Sequence, residues 1–232
     1  GSGVNHTAIA FTTNYVPSVT YNTVTDLNVV RSAGKAFGEF QMDLEDFDLS
    51  ALVETIPGFH DTRKRYADFR RSVEEDKAGR VSSVREEIDY LLSVEGKACC
   101  LTDLYRAGKL PLRVTHNDTK INNVLFSPET KEAMIVIDLD TVMPGLMGHD
   151  FGDAIRFAAN RVEEDCADYD QAQVNLDVFR AFAEGFLSMT AKTMTDTEVK
   201  TLAMSCFDLT AELATRFLAD YLDGDLYFNI RR

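Results

Sequence analysis

The sequence lacks the features that mark membrane-spanning and disulfide-stabilised proteins. No apolar run approaches the length that spans a bilayer. Its four cysteines show no C-x-x-C spacing, and the adjacent Cys99 and Cys100 are poorly placed to bridge each other. Free thiols in a reducing compartment fit this pattern best. We therefore expect a cytoplasmic protein without a membrane partner.

Positive charge is also scarce. The 232 residues include 24 lysines and arginines against 38 aspartates and glutamates, which gives a formal charge of −14. A nucleic-acid partner would require a basic face, so we expect none. A nucleotide substrate remains compatible, because a local basic site and Mg²⁺ can offset the acidity. With 45% hydrophobic residues and no internal repeats, the chain can form one domain or two small ones.

Residues with chemical potential concentrate between positions 114 and 156. Three short apolar runs, 112–115, 124–126 and 133–137, are predicted strands. The second and third flank a polar turn containing Pro128 and predict a hairpin. The segment H-N-D-T-K-I-N-N lies between the first two runs, and two carboxylates follow the third. This order places a polar loop and an acidic loop near one edge of a small sheet.

The polar residues expected at that edge suit phosphoryl transfer, which needs positioning and charge neutralisation more than covalent chemistry. Mg²⁺ takes oxygen ligands, and Asn123 and Asp138 offer an amide oxygen and a carboxylate. Asp118 can accept a proton from an attacking hydroxyl, and Lys120 can neutralise phosphate charge. Asp140 is either a further metal ligand or a solvated carboxylate.

The spacing H-x-D-x-K-x-x-N, from His116 to Asn123, is that of the kinase catalytic loop, and D-L-D at 138–140 lies where kinases carry D-F-G. The stretch resembles the aminoglycoside phosphotransferase and choline kinase superfamily, and within it the N-acetylhexosamine 1-kinase-like branch. E-T-I-P-G-F-H-D-T-R-K-R-Y at 54–66 resembles that branch too. The resemblance covers residues 18 to roughly 186.

The resemblance implies an α+β fold: the mostly helical C-terminal lobe of a protein-kinase-like fold, with a small β-hairpin region that carries the chemistry. It also implies ATP as phosphoryl donor, Mg²⁺ as cofactor and a small-molecule hydroxyl as acceptor. The implied acceptor is a sugar such as an N-acetylhexosamine, with choline or an aminoglycoside as alternatives. A non-catalytic kinase-like module that binds a ligand or partner is the alternative from a different class.

Other residues near the motifs are candidates for supporting the site. His116 is expected to tie the loop to the residues around Asp138. Asp150 resembles the family's buried aspartate that accepts bonds from the catalytic loop. Asp153 and Arg156 lie three apart on a predicted helix and fit a simple surface pair.

Arg156 is at the same time a weak candidate for contacting substrate or cofactor. His60 and Arg65 are further weak substrate candidates. His149 is expected to be a helix-start residue without chemistry.

The N-terminal segment is β-leaning over residues 4–16 and ends at Pro17. The resemblance implies that residues 1–17 are a remnant N-lobe strand and hinge, with Tyr15 and Val16 near adenine, and that 18–232 form the C-terminal lobe. An edge strand is the alternative. The first lysine is Lys35, so the family's nucleotide lysine is missing and we expect weak activity of this chain alone. An unpaired strand would also favour a homodimer through residues 4–16.

Hydrophobic spacing predicts helices over 26–46, 62–75, 82–93, 98–105, 150–160, 170–189 and 195–221. Two apolar stripes are predicted to face the core. They comprise Val174, Val178, Phe182 and Phe186, and Leu202, Cys206, Leu209, Leu213 and Phe217.

Overall fold

The computed structural model describes residues 15–162, 166 and 168–228. Within them the chain forms seven α-helices and four short strands. The helices are α1 (Leu27–Asp43), α2 (Thr62–Glu75), α3 (Arg85–Ala98), α4 (Cys100–Arg106), α5 (Met147–Ala158), α6 (Leu176–Thr190) and α7 (Asp196–Asp223). The strands are β1 (Arg113–Thr115), β2 (Val124–Phe126), β3 (Ala133–Val136) and β4 (Met143–Gly145). The fold is α+β and mostly helical, as the sequence predicts.

The strands form two separate antiparallel pairs. β2 and β3 form the predicted hairpin, with Val124 opposite Val136. β1 pairs with β4, with Thr115 opposite Met143. The prediction of one small sheet is therefore wrong, and β4 was not predicted. Its Pro144–Gly145 pair is a typical turn signal, so the sequence indicates a turn here rather than a strand. The Thr115 hydroxyl also donates to the Met143 carbonyl at 3.0 Å, which adds a bond between β1 and β4.

Helices α1 and α6 pack closely at the main hydrophobic core. Phe37 on α1 and Phe182 and Phe186 on α6 are almost fully buried, and Phe151 of α5 meets both α6 rings edge-on at 5.8 and 5.5 Å. The helix backbones approach so closely that a Cβ on Gly185 would overlap the Arg31 carbonyl oxygen. Glycine at this position therefore permits the contact.

Helix α7 packs against α2, α3 and α5. It begins with a capping box, in which Thr195 and Glu198 satisfy each other's backbone N–H groups. It ends at Gly224, which has a φ of 106°. Its long span brings α7 against α2 from Thr62, which bonds Glu212, to Ser72, which bonds Asp223, and also against α5.

The predicted helices are all present, and all but one of them have shifted ends. Helix 62–75 has the predicted limits, and Asp26 caps α1 by accepting a bond from the Asn28 N–H at 3.0 Å. Helix α6 begins six residues later than predicted. Asn175 caps it, and Val174 forms an isolated β-bridge with Asn160, which keeps the preceding chain extended.

The predicted core stripes hold except at two residues. Val174 is 60% exposed because it precedes the helix, and Phe217 is 40% exposed. The Phe217 ring lies 4.3 Å from that of Phe228, so its main aromatic neighbour is in the segment after α7. The other stripe members are buried or half-buried.

The predicted N-terminal strand, and the dimer contact assigned to it, lie outside the described residues as far as Asn14. Tyr15 is 90% exposed, and Val16 is half-buried. Two residues after Pro17, Val19 exchanges backbone hydrogen bonds with Phe126 of β2 at 3.0 and 2.9 Å. Among the described helices, none combines the length and apolar character needed to cross a membrane.

The close contact between α1 and α6 predicts that Gly185→Ala lowers the free energy of unfolding by about 1–3 kcal/mol, because the methyl group forces the helices apart. Urea unfolding followed by circular dichroism measures the change. Gly96→Ala is the matched control: a Cβ there meets no heavy atom within 4 Å. The control should gain about 0.5–1 kcal/mol from helix propensity. A Gly185→Ala variant as stable as the control would contradict the packing argument.

Candidate active site

The loop between β1 and β2 is attached to α5 through the carboxylate of Asp150. Asp150 Oδ2 accepts the backbone N–H of His116 at 3.0 Å, and Oδ1 accepts that of Asn117 at 2.8 Å. Gln41 of α1 donates to Asp150 Oδ2 at 2.7 Å. Burial raises the pKa of Asp150, while the hydrogen bonds from the His116 and Asn117 backbone and from Gln41 oppose the shift. The sequence predicts Asp150 as a support, but Gln41 gives no signal beyond its place on α1.

A second carboxylate of α5 holds the next part of the loop. Asp153 Oδ2 accepts the N–H of Thr119 at 3.0 Å, and Thr119 donates its hydroxyl to the Asp150 carbonyl at 2.6 Å. Asp153 Oδ1 receives two bonds from Arg156, at 3.2 and 3.0 Å. The side chains of Asp153 and Arg156 are only 9% and 11% exposed, so the prediction of a simple surface pair is wrong. The pair is part of the loop's support.

His116 connects the loop to the end of β3. Its Nε2 lies 2.9 Å from the Ile137 carbonyl oxygen, and its Nδ1 accepts the N–H of Asp118 at 3.3 Å. An acceptor at Nδ1 and a donor at Nε2 define the neutral Nε2–H tautomer. The rings of Phe37 and Phe40 enclose it edge-on, each at 5.7 Å. The imidazole therefore links the N–H of Asp118 to the carbonyl of Ile137, the residue before Asp138.

Two non-glycine residues of the site have left-handed backbone conformations. Asn117 has a φ of 64° and Asp138 a φ of 63°. The side chain of Asn117 is bonded to Thr115 and to the Thr141 carbonyl, which stabilises the turn. Such conformations cost about 1–3 kcal/mol and persist where surrounding contacts enforce them. Here they set the direction in which the backbone enters Asp118 after Asn117 and leaves the hairpin at Asp138.

Asp118 and Lys120 form an ion pair at 3.0 Å, with side chains 26% and 36% exposed. Pairs of this exposure are typically weak. Both groups therefore remain available to a ligand at the mouth of the loop.

Asn123 and Asp138 lie on neighbouring backbones of the hairpin. The Asn123 carbonyl accepts the N–H of Ile137 at 2.9 Å, one residue before Asp138. The Asn123 amide nitrogen donates to the Asp118 carbonyl at 2.8 Å, which leaves its Oδ1 free of protein donors in the described part of the chain. Asp138 and Asp140 are exposed, and neither carboxylate accepts a hydrogen bond from a described residue.

These oxygens fit a hard cation. Mg²⁺ is typically held by one or two protein groups together with phosphate oxygens and water. Among the described residues, no group of three or more His, Cys, Asp or Glu could hold a metal, so any Mg²⁺ site here would rely on few protein ligands. Asn123 Oδ1 and the Asp138 carboxylate have the required chemistry, and no described residue competes for them.

A buried polar cluster behind the loop was not predicted. His60 contacts the Asn117 carbonyl at 3.1 Å and Glu212 at 2.9 Å. The Thr62 hydroxyl lies 2.9 Å from Glu212 and 2.7 Å from Asp208. His60 was considered only as a weak substrate candidate, and the α7 acids carry no local motif. The signal that could have found them is a polar row at helical spacing on α7, in which Asp208 and Glu212 lie one turn apart between Ser205 and Thr215.

His149 lies beside this cluster and is buried, which the expectation of a simple helix-start residue did not include. Its ring centroid is 5.0 Å from that of His60, and neither ring nitrogen has a hydrogen-bond partner among the described residues. Burial and the charge of His60 lower the pKa of His149 to about 3. The ring is therefore neutral. Arg65, the other weak candidate, donates twice to the Phe59 carbonyl.

A family model described as the phosphotransferase enzyme family (APH) matches residues 8–184. The chain belongs to this family. The match fits the site geometry, in which the β1–β2 loop and the hairpin present their polar residues together. It does not single out the N-acetylhexosamine 1-kinase-like branch.

Solved structures of the same kind resemble the chain. A spectinomycin phosphotransferase, APH(9)-Ia, with ADP and spectinomycin has a TM-score of 0.51 at 13% identity, over 93% of this chain and 66% of its own. An ethanolamine kinase from Plasmodium vivax has a TM-score of 0.48 at 14% identity, over 88% of this chain and 55% of its own. The chain thus spans less than two thirds of these proteins, and the first likeness shows the shared fold.

The Asp208 cluster predicts a specific pH dependence of stability. Burial, reinforced by the charge of Glu212 and opposed by Thr62, raises the pKa of Asp208 from 3.8 to about 7. The folded state therefore binds this proton more tightly than the unfolded state, and stability from this group falls as pH rises from about 4 to about 7. Asp208→Asn removes the dependence. The stability of Asp208→Asn relative to wild type should therefore rise by about 2–3 kcal/mol between about pH 5 and about pH 8.

Urea unfolding at both pH values measures this gain. Asp46→Asn is the control, because Asp46 is exposed, and its difference from wild type should not change with pH. An Asp208→Asn difference that is equally flat would contradict the buried, protonated state.

Proposed function

We propose that the protein transfers the γ-phosphoryl group of ATP to a hydroxyl of a small molecule with the help of Mg²⁺. One observation carries this proposal. The loop bearing Asp118 and the hairpin end bearing Asp138 are joined through Ile137, whose carbonyl contacts His116 and whose N–H bonds Asn123. The base and the metal ligands are thereby fixed relative to each other, which is the main requirement for phosphoryl transfer.

Asp118 accepts the proton of the acceptor hydroxyl while its oxygen attacks the γ-phosphorus. The bond from that phosphorus to the β–γ bridging oxygen breaks, which yields ADP and a phosphate ester. Lys120, 3.0 Å from Asp118, is placed to offset charge on the transferred group. Asn123 and Asp138 would hold Mg²⁺, which supplies charge neutralisation at the phosphates.

We propose that the acceptor is a sugar or another neutral polyol rather than an ammonium compound. Phe59 precedes His60, whose ring contacts the β1–β2 loop. Arg216 lies over the rings of Phe59 and Phe228, at 5.6 and 5.7 Å, and has no carboxylate partner in the described residues.

Aromatic rings bind sugar faces and ammonium groups alike. Arginine side chains bind sugar hydroxyls, whereas the positive charges of Arg65 and Arg216 repel an ammonium group. Burial lowers the pKa of Arg65, and the charge of the nearby Arg216 lowers it further. This face supports a sugar over choline or ethanolamine as the acceptor.

The role of Asp118 predicts that Asp118→Asn lowers the rate of acceptor phosphorylation by about 10²–10⁴-fold, the usual contribution of a general base. Phosphorus NMR of ATP mixed with N-acetylhexosamines, spectinomycin, choline or ethanolamine identifies the ester and gives the rate. Asp43→Asn, an exposed position on α1, is the control. Phosphorylation that survives Asp118→Asn would reject this base, and nucleotide binding without any ester would favour a non-catalytic module.

The proposed metal ligands predict that Asp138→Ala and Asn123→Ala raise the Mg²⁺ concentration needed for half-maximal rate by at least about tenfold, the factor lost with one ligand contact worth 1.4 kcal/mol. Magnesium titration of the rate measures this. Asp140→Ala separates its two interpretations. A shift as large as that of Asp138→Ala identifies a ligand, and no shift identifies a solvated carboxylate. Unchanged magnesium dependence in all three variants would contradict the site.

A further inference from the structure

His60 lies in the segment that leads into α2 and is enclosed by three elements. Its side chain is 8% exposed, and that of its partner Glu212 is 2% exposed. Nδ1 is 2.9 Å from Glu212 Oε1 on α7, and Nε2 is 3.1 Å from the Asn117 carbonyl oxygen of the β1–β2 loop. The ring therefore bridges α7 to the residue immediately before Asp118.

The hydrogen-bond partners determine the protonation state of the ring. A carbonyl oxygen only accepts, and an ionised carboxylate only accepts. Glu212 is ionised: although its burial would raise the pKa, the charge and hydrogen bond of His60 outweigh burial and lower it. With Glu212 ionised, both nitrogens of His60 donate and the ring is an imidazolium, the state that the lowered pKa of Glu212 and the raised pKa of His60 both favour.

The Thr62 hydroxyl extends this proton count. It has one hydrogen but lies within bonding distance of carboxylates on both Glu212 and Asp208. Every group in this series of hydrogen bonds is satisfied when protonated Asp208 donates to Thr62 and Thr62 donates to Glu212. Glu212 then keeps its negative charge for His60.

We propose that His60 is a positioning residue: held as an imidazolium by Glu212, it fixes the peptide between Asn117 and Asp118. This proposal rests on the proposed function only in taking Asp118 as the base. Asp150 bonds the N–H of Asn117, and His60 bonds its carbonyl oxygen, so Asn117 is held from both sides in its left-handed conformation. The direction of the next residue follows from that constraint.

The charges facing His60 are consistent with this state. Glu212 and Asp208 face it from α7, and Asp153 and neutral His149 from α5. Burial alone would lower the pKa of His60, but Glu212, the Asn117 carbonyl and Asp153 together raise it. The two other described histidines near the loop differ, because His116 uses Nδ1 as an acceptor and His149 finds no hydrogen-bond partner in the described part of the chain.

Nitrogen-15 NMR of the imidazole rings tests the charge without any catalytic measurement. At about pH 7.5, where an ordinary histidine with a pKa near 6.5 is neutral, both ring nitrogens of His60 should show protonated shifts. His60→Gln assigns the signals. An unprotonated nitrogen shift for His60 at that pH would overturn the proposal.

A pair of Glu212 variants separates the charge from the hydrogen bond. Glu212→Gln can donate to Nδ1, so His60 becomes neutral and still donates from Nε2 to Asn117. Glu212→Met leaves the ring without an orienting partner. Amide hydrogen exchange at Asp118 and Thr119 should accelerate about tenfold or more in Glu212→Met, as for loss of a charge-assisted bond, and less in Glu212→Gln.

His149→Phe, which removes an equally buried imidazole without a hydrogen bond, should leave exchange at both amides unchanged. A folded Glu212→Met variant with unchanged exchange would overturn the positioning role. If that variant does not fold, the wild-type ring shifts and Glu212→Gln still decide.

Kinetics add a readout that a purely structural role would not move. In the wild type and Glu212→Gln, KM for ATP should be the same, while kcat falls in Glu212→Gln because Asp118 is less firmly placed. A loss of kcat/KM that comes only from a higher KM for ATP, with kcat unchanged, would contradict the positioning role. If the wild type phosphorylates no acceptor, the proposed function fails. The nitrogen-15 shifts and the amide exchange still test the positioning role of His60 in that case.

Discussion

The capture of loop N–H groups by carboxylates of α5 is the interaction on which the rest of the site depends. A polar loop between two short strands has few backbone partners of its own, and buried unpaired N–H groups are costly. Asp150 takes two of them and Asp153 a third. Because both acids lie on one helix that packs into the core, the position of the loop follows from the position of α5.

Burying these acids requires compensation on every side. A buried carboxylate is tolerated only when hydrogen bonds or an opposite charge replace its hydration. Asp150 receives Gln41 from α1 as well as the loop, Asp153 receives Arg156, and Glu212 receives His60. Removing one partner of such a pair typically destabilises more than replacing both, because it leaves a charge uncompensated. The supports of the loop thus link α1, α5 and α7 into one network.

The sequence could predict those features whose signals are local. Asp26 begins α1 within a few residues of the stripe that identifies the helix, and the β2–β3 hairpin surrounds a polar turn. Spacing along the β1–β2 loop also pointed to Asp118 and Asn123, because the motif lies within eight consecutive positions.

The features that were missed depend on long-range contacts. His60 and Glu212 are 152 positions apart, and Gln41 and Asp150 are 109 apart. No periodicity connects such residues, and each alone resembles a surface group. The pairing of β1 with β4 is also a long-range contact. Gly145 is needed there because a Cβ would overlap the Thr115 hydroxyl, whereas in the sequence the Pro-Gly pair indicates a turn.

Ile137 shows how these long-range contacts become chemical geometry. Its N–H is bonded to Asn123 and its carbonyl to His116, so both sides of its peptide group are held by the β1–β2 loop. The next residue, Asp138, leaves the strand with a φ of 63° and carries an exposed carboxylate. Two bonds to an apolar residue thus orient the acid that follows it. The identity of Ile137 contributes nothing to this, since only backbone atoms act, and the constraint is therefore visible in the fold but not in the sequence.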